Sequence, residues 1–147
     1  MTEFNRKAGV IWTGDLKDGS GLISTESQAL FEVPYSFQTR FDNETGTNPE
    51  ELIAAAYAAC FSMALANTLK ANGFNPRKTD TNATCTIASK DGGFEISGIQ
   101  LHVRAEVPDI DEATFQKLTM EAKNTCPVSN ILREGLNVDI TSTLDYT

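Results

Sequence analysis

From Leu52 to Ala66 the chain reads Leu-Ile-Ala-Ala-Ala-Tyr-Ala-Ala-Cys-Phe-Ser-Met-Ala-Leu-Ala, without a single charge. Ala and Leu dominate the run, and both are strong helix formers. The residues before it, Asn48-Pro49-Glu50-Glu51, read as a helix start. Asn48 can cap, Pro49 suits the first helical position, and Glu51 stands where a capping box places its acid. Asn72-Gly73 reads as a left-handed stop, so the sequence predicts one helix from about Pro49 to Ala71. The uncharged run is too short for a bilayer, which takes about 20 apolar residues. A core helix is expected, and it holds one thiol, Cys60, on an apolar scaffold.

The remaining chain is expected to surround this helix. At 147 residues it fits one domain, 1–147, able to build a core without disulfides. Val10-Ile11-Trp12 reads as a strand, Gly19-Ser20-Gly21 as a turn, and Leu30–Val33 with Tyr35-Ser36-Phe37 as further extended structure. Asp42–Thr47 is a polar loop. Ala83, Cys85 and Ile87 alternate on one strand face, and Asp91-Gly92-Gly93 turns the chain back. On the return strand Phe94 and Ile96 are expected to face in, followed after a bulge at Ser97-Gly98 by Ile99, Leu101, Val103 and Ala105. Asp109–Asn124 reads as a second helix started near Asp111, and Pro127 to about Glu134 as a short third. Val138, Ile140, Ser142 and Leu144 suggest a last strand. Antiparallel strands separated by helices make an α+β fold.

Charge narrows the function. The net charge of −8 argues against nucleic acid, whose backbone demands a cationic surface, and against an anionic membrane. Met1–Lys7 leads into no apolar stretch, so no export signal is expected. Three cysteines without such a signal point to a reducing, cytoplasmic setting, where a disulfide is more often catalytic than structural.

Each cysteine has a plain reading and a chemical one. Cys60 is either a small core side chain or a nucleophile, and it can react only where something cationic reaches it. Cys126 precedes Pro127 at a helix start, where the positive end of the helix dipole favours a thiolate. Cys85 reads as core filler. Three pairings are open, and only Cys60 with Cys126 joins two helix-borne thiols. His102 falls out of phase with Leu101 and Val103 and is expected to face solvent. No close ligand pair supports a zinc site, and no glycine-rich strand-to-helix turn supports a nucleotide site.

The stretch from Arg40-Phe41 through Asn48-Pro49-Glu50-Glu51 to Cys60-Phe61-Ser62-Met63-Ala64-Leu65 closely resembles the OsmC/Ohr family of thiol peroxidases. Cys126-Pro127-Val128-Ser129 is similar to that family's second cysteine motif, and the likeness is nearer to the osmotically inducible OsmC branch. The resemblance implies an intertwined homodimer with antiparallel sheets wrapped around central helices and two active sites at the interface. It implies reduction of organic hydroperoxides, and more weakly of hydrogen peroxide. Cys60 would be the peroxidatic thiol, Cys126 the resolving thiol, and Arg40 with Glu50 the pair that holds the thiolate. A dithiol, for instance of the lipoyl type, would regenerate the enzyme, with no metal, haem or flavin. The alternative is a non-enzymatic redox sensor or ligand-binding protein using the same cysteines.

One geometric expectation comes from the spacing alone. Glu50 precedes Cys60 by ten residues, about 15 Å of helix rise. On a continuous helix Glu50 is expected to serve the Cys60 of a second copy packed antiparallel, close to the small residues Ala54-Ala55-Ala56.

Overall fold

The computed structural model describes residues 2–136 and residue 139, so the expected last strand (Val138, Ile140, Ser142, Leu144) lies outside the described residues. In chain order the elements are β1 (Ala8–Thr13), β2 (Ser20–Thr25), β3 (Val33–Tyr35), α1 (Phe37–Phe41), α2 (Pro49–Ala71), β4 (Lys78–Lys90), β5 (Gly93–Glu106), α3 (Glu112–Thr125) and α4 (Pro127–Glu134). The fold is α+β, with a three-stranded sheet in the order β1-β2-β3 and a β4-β5 hairpin. By packing it divides into one unit of residues 1–55 with 84–100 and another of 56–83 with 101–147.

The caps of α2 follow local chemistry. Asn48 Oδ1 accepts from the Glu51 N–H at 2.8 Å. Glu51 does not close a capping box in return, because its Oε2 accepts from the Thr47 hydroxyl at 2.7 Å. At the other end Gly73 takes φ +88°. Its N–H donates to the Lys70 carbonyl at 3.1 Å and the Phe74 N–H to the Leu69 carbonyl at 3.0 Å, the paired bonds of a Schellman motif.

In the first unit, β2 lies between its neighbours with Trp12 opposite Gly21 and Gly21 opposite Tyr35. Trp12 and Tyr35 meet edge to face at 5.4 Å across that position. A Cβ on Gly21 would lie 2.3 Å from the Tyr35 ring, so glycine is required for the aromatics to close. Ser20-Gly21 is therefore strand, not the expected turn. The other early departure is α1, placed where extended structure was expected. Ser36 and Thr39 exchange hydrogen bonds as a capping box, and that local bonding overrides the β preference of Phe37.

The hairpin turns at Asp91 and Gly92, both with positive φ, as a two-residue type I′ connection requires. Ala83, Cys85 and Ile87 share the covered face of β4, and Ile99, Leu101, Val103 and Ala105 that of β5. Phe94 and Ile96 do not face in: they are 51% and 44% exposed, although Phe94 stacks on Phe41 at 4.2 Å.

The second unit supplies most of the core. Tyr57, Phe61, Leu65, Thr68 and Leu69 bury one face of α2, and Leu118, Ala122 and Cys126 complete the packing from α3 and its end. Helical spacing of three and four residues sets that face. Ser62 fixes the helix to β4 through a 2.7 Å bond to Thr81. The expected core helix is thus buried on one side only, and Met63 on the opposite side is 75% exposed. At 23 residues α2 is long and apolar enough by length and composition to cross a membrane, beyond what the uncharged run suggested. Its buried face, packed on other elements of the same chain, marks it as part of a folded core.

Gly73 offers a clean test of the cap, since an added Cβ there meets nothing within 4 Å. Gly73→Ala should cost about 1 kcal/mol in denaturant unfolding, from backbone conformation alone. Gly98→Ala, also in open space but without positive φ, should leave stability unchanged or slightly raised.

Candidate active site

Arg40 stands in the last turn of α1, and Glu50 in the first turn of α2. The two elements are tied where Asn48 Nδ2 donates to the Thr39 carbonyl at 3.2 Å. Across this junction Arg40 grips Glu50 in a fork. Nε lies 3.0 Å from Oε2 and Nη2 lies 2.7 Å from Oε1. Burial pushes the Glu50 carboxyl up, but the Arg40 hydrogen bonds and charge outweigh it and hold the acid below its ordinary value. The pair therefore stays charged, with the acid buried and the guanidinium about one-third exposed. Nη1 stands outside the fork and, among the described residues, makes no hydrogen bond.

Arg40 also edges a cleft of about 340 Å³ formed with Trp12, Leu16, Tyr35, Phe37 and Phe41. The guanidinium sits 4.9 Å from the Phe41 ring centre, close enough for cation–π attraction. An aromatic cavity rimmed by one fixed cation suits an apolar molecule with a polar end. Sequence reasoning missed this cleft, because its lining comes from β1, its following loop, β3 and α1, and no local pattern joins them.

The cysteines meet in the second unit. Cys60 lies mid-way along α2, half-buried, and Cys126 is fully buried at the junction of α3 and α4. Their sulfurs are 3.3 Å apart, joined by a thiol–thiol hydrogen bond. Cys126 ends α3, donating its N–H to the Ala122 carbonyl at 3.0 Å, and caps α4 ahead of Pro127. Cys85 lies half-buried on β4 in the first unit, where burial and the Glu50 charge push its thiol up.

The two paired sulfurs are not equivalent. Burial pushes the Cys60 thiol up, and the neighbouring Cys126 adds to the rise against one opposing N–H from Val128. Burial also opposes ionisation of Cys126. There the N–H of Ser129, the Cys60 thiol, the Ser129 hydroxyl and the Val128 N–H together prevail, and its pKa falls. Cys126 precedes Pro127 at the start of α4, where the positive end of the helix dipole favours a thiolate. The two shifts thus run in opposite directions, up at Cys60 and down at Cys126.

One further pair was not foreseen. Tyr57, three residues before Cys60, and Ser129, three residues after Cys126, share a buried 2.6 Å hydrogen bond. A buried tyrosine needs a polar partner, and the i+3 spacing from each cysteine is the signal that could have found it. His102 is exposed, as expected.

The description "OsmC-like protein" matches residues 41–141 of this chain. Peroxiredoxin OsmC of Escherichia coli K12 is 47% identical over 135 residues, 92% of this chain and 94% of its own. The organic hydroperoxide resistance protein of Xanthomonas axonopodis pv. citri is 39% identical over 100 residues, 67% of each. Among solved structures, OhrB of Bacillus subtilis superposes with a TM-score of 0.65 at 28% identity, over 87% of this chain and 91% of its own. An OsmC protein of Legionella pneumophila shares the fold, with a TM-score of 0.72 at 22% identity over 92% and 93%. On sequence and on fold, then, the chain belongs to the OsmC-like family.

Proposed function

We propose that this protein is a cytoplasmic, cysteine-based peroxidase that reduces organic hydroperoxides, and hydrogen peroxide more weakly, to alcohols or water. The observation that carries the reading is the Cys60–Cys126 pair, two free sulfurs at 3.3 Å with one reachable and one sealed. The names of the relatives, peroxiredoxin and organic hydroperoxide resistance protein, point the same way. The whole chain acts as a single domain.

In this reading Cys60, the accessible sulfur, attacks one peroxide oxygen as a thiolate. The O–O bond breaks, the departing alkoxide takes up a proton as the alcohol, and Cys60 becomes a sulfenic acid. Cys126 then attacks the Cys60 sulfur, and hydroxide leaves and is protonated to water as the disulfide forms. An external dithiol returns two electrons by exchange and becomes a disulfide itself. The sulfurs must close by only about 1.3 Å to bond, a side-chain movement. No metal or organic cofactor enters these steps.

Burial pushes the Cys60 thiol up, so the first step needs a cation beside it. Arg40 fills that role, held in aim by Glu50, and its outer donors meet both the thiolate and the oxygen on which charge grows. The aromatic cleft beside Arg40 receives the organic part of the peroxide. The protein is a homodimer in which the Arg40–Glu50 pair of one subunit serves the Cys60 of the other. The apolar face of α2 that carries Met63 then becomes an interior between subunits.

Turnover with cumene hydroperoxide and a dithiol should vanish in Cys60→Ala. Cys126→Ala should still form a sulfenic acid, trapped by dimedone, but should overoxidise within few turnovers. Wild-type protein that forms the disulfide yet fails to turn over would instead be the redox sensor.

Mixing Cys60→Ala with Glu50→Ala subunits tests the shared site. One of two sites is whole in the heterodimer, so about half of wild-type activity should return while both parent homodimers stay low. Activity no better than the parents would place Glu50 with its own Cys60.

Glu50 also makes a prediction about acid stability. Its folded pKa lies below the ordinary 4.5, so its stabilising contribution is complete above that value and disappears as pH falls through the depressed one. Glu50→Gln should cost roughly 1–3 kcal/mol at neutral pH, shrinking toward zero in acid, as read by urea unfolding across pH.

A further inference from the structure

The aromatic cleft beside Arg40 has one wall that the core of the fold does not use. Between β1 and β2 the chain runs Gly14-Asp15-Leu16-Lys17-Asp18-Gly19, glycines and charged residues around a single leucine. Leu16 is 56% exposed, yet it lines the cleft with Trp12, Tyr35, Phe37 and Phe41. A leucine so exposed adds little to folding, and its apolar surface is offered to whatever enters the cleft.

The loop that carries Leu16 is held from several sides. The Trp12 indole N–H donates to the Gly14 and Asp15 carbonyls at 3.1 and 3.2 Å, and the Gly19 N–H donates to the same Asp15 oxygen at 3.1 Å. Asp15 Oδ1 accepts from the Asp18 N–H at 2.7 Å. A Cβ on Gly19 would collide with the Asp15 carbonyl, so the turn closes only with glycine there. From outside the loop, Gln38 Nε2 donates to the Lys17 carbonyl at 3.0 Å. Gln38 stands on α1, two residues before Arg40, so the residue after Leu16 is tied to the helix that carries the cation.

We infer that Leu16 is a specificity-determining residue and Gln38 its positioning residue. Leu16 covers the apolar body of the guest, while Arg40 on the cleft edge takes its oxygen end. Aromatic side chains on the other walls suit an aryl or branched alkyl group. The ligand class is therefore a hydroperoxide with such a group, or the alcohol formed from it. Hydrogen peroxide has no apolar body and gains nothing from this wall. The inference rests on the peroxidase reading for its reaction, but binding of the alcohol needs no turnover.

Trp12 is the one tryptophan of the chain and reports on the cleft it lines. Titrating the full chain with 2-phenylpropan-2-ol, the alcohol formed from cumene hydroperoxide, should change Trp12 emission in a saturable way. Leu16→Ser should weaken that binding about five- to thirtyfold, through the lost apolar contact. Leu16→Met, of similar volume, should keep it within about twofold. Gln38→Ala should weaken it about two- to fivefold, the worth of one hydrogen bond. Gln38→Glu keeps the shape but has no N–H to give, and should lose as much. In turnover, the ratio of second-order rate constants for cumene hydroperoxide and hydrogen peroxide should fall in Leu16→Ser by the same factor, about five- to thirtyfold. No saturable change with the alcohol, equal binding by wild type and Leu16→Ser, or an unchanged rate ratio overturns the inference even in a fully active peroxidase. Binding by Gln38→Glu at wild-type strength removes the role given to Gln38. Alcohol binding that weakens as expected in a protein that reduces no peroxide instead overturns the peroxidase reading and leaves Leu16 as the wall of a binding site.

Discussion

The packing of α4 against the middle of α2 is the constraint on which the rest of the site depends. Each helix presents one turn, Tyr57 to Cys60 on α2 and Cys126 to Ser129 on α4, in opposite senses. That arrangement closes both links at once, and neither helix can slide by a residue without breaking both. Phe61, Leu65 and Leu69 continue the same face of α2, with Leu118 and Ala122 buried beside them, so apolar burial fixes the register that the polar links then use. Side chains at 0% exposure, such as Leu65 and Leu69, have no slack, and truncating one would cost about 2–5 kcal/mol. Sulfur chemistry is placed here by ordinary core packing.

Charge is handled in two separate constructions. The carboxylate of Glu50 is buried and is matched at once by the Arg40 fork. The sulfur of Cys126 is buried too, yet no full charge meets it: it stands at the start of α4, on the positive end of a helix dipole, with the Cys60 thiol 3.3 Å away. A full cation beside Cys126 would hold the negative charge there permanently and starve Cys60. Dipoles favour the anion while leaving the shared proton able to move between the sulfurs. A guanidinium approaching Cys60 can then reverse the preference, and that is the role assigned to Arg40 in the proposed shared site.

Elements carrying their own boundary signals were legible from sequence. Asn48-Pro49, Asn72-Gly73, Asp91-Gly92, Asp111 and Cys126-Pro127 each mark an end or a turn by local chemistry, and the helices and hairpin they bound stand where expected. What sequence left open came from longer-range packing. α1 was hidden because its capping partner is Thr39, not a Glu or Gln, and its aromatic residues resemble a strand. Gly21 reads as a turn until Trp12 and Tyr35 are seen closing over it. The buried face of α2 was illegible for a simpler reason. With alanine nearly all round, the helix has no polar side to contrast with the buried one, so periodicity cannot say which way it turns.

That same uniformity leaves α2 with a second apolar face beside the one packed in its own chain. An apolar helix with one face packed in its own chain has its other face to cover, and a second copy offers an identical surface. Ala55 and Ala59 are small enough for close approach, and Met63 is flexible enough to fill what remains. A twofold pairing of this kind removes exposed apolar area and, with Glu50 and Cys60 ten residues apart on one helix, brings unlike ends of two copies together. Covering the helix and completing the proposed active site are then one event. In the proposed shared site a subunit alone leaves the Cys60 thiol pushed up and slow to oxidise, and reactivity appears only on assembly.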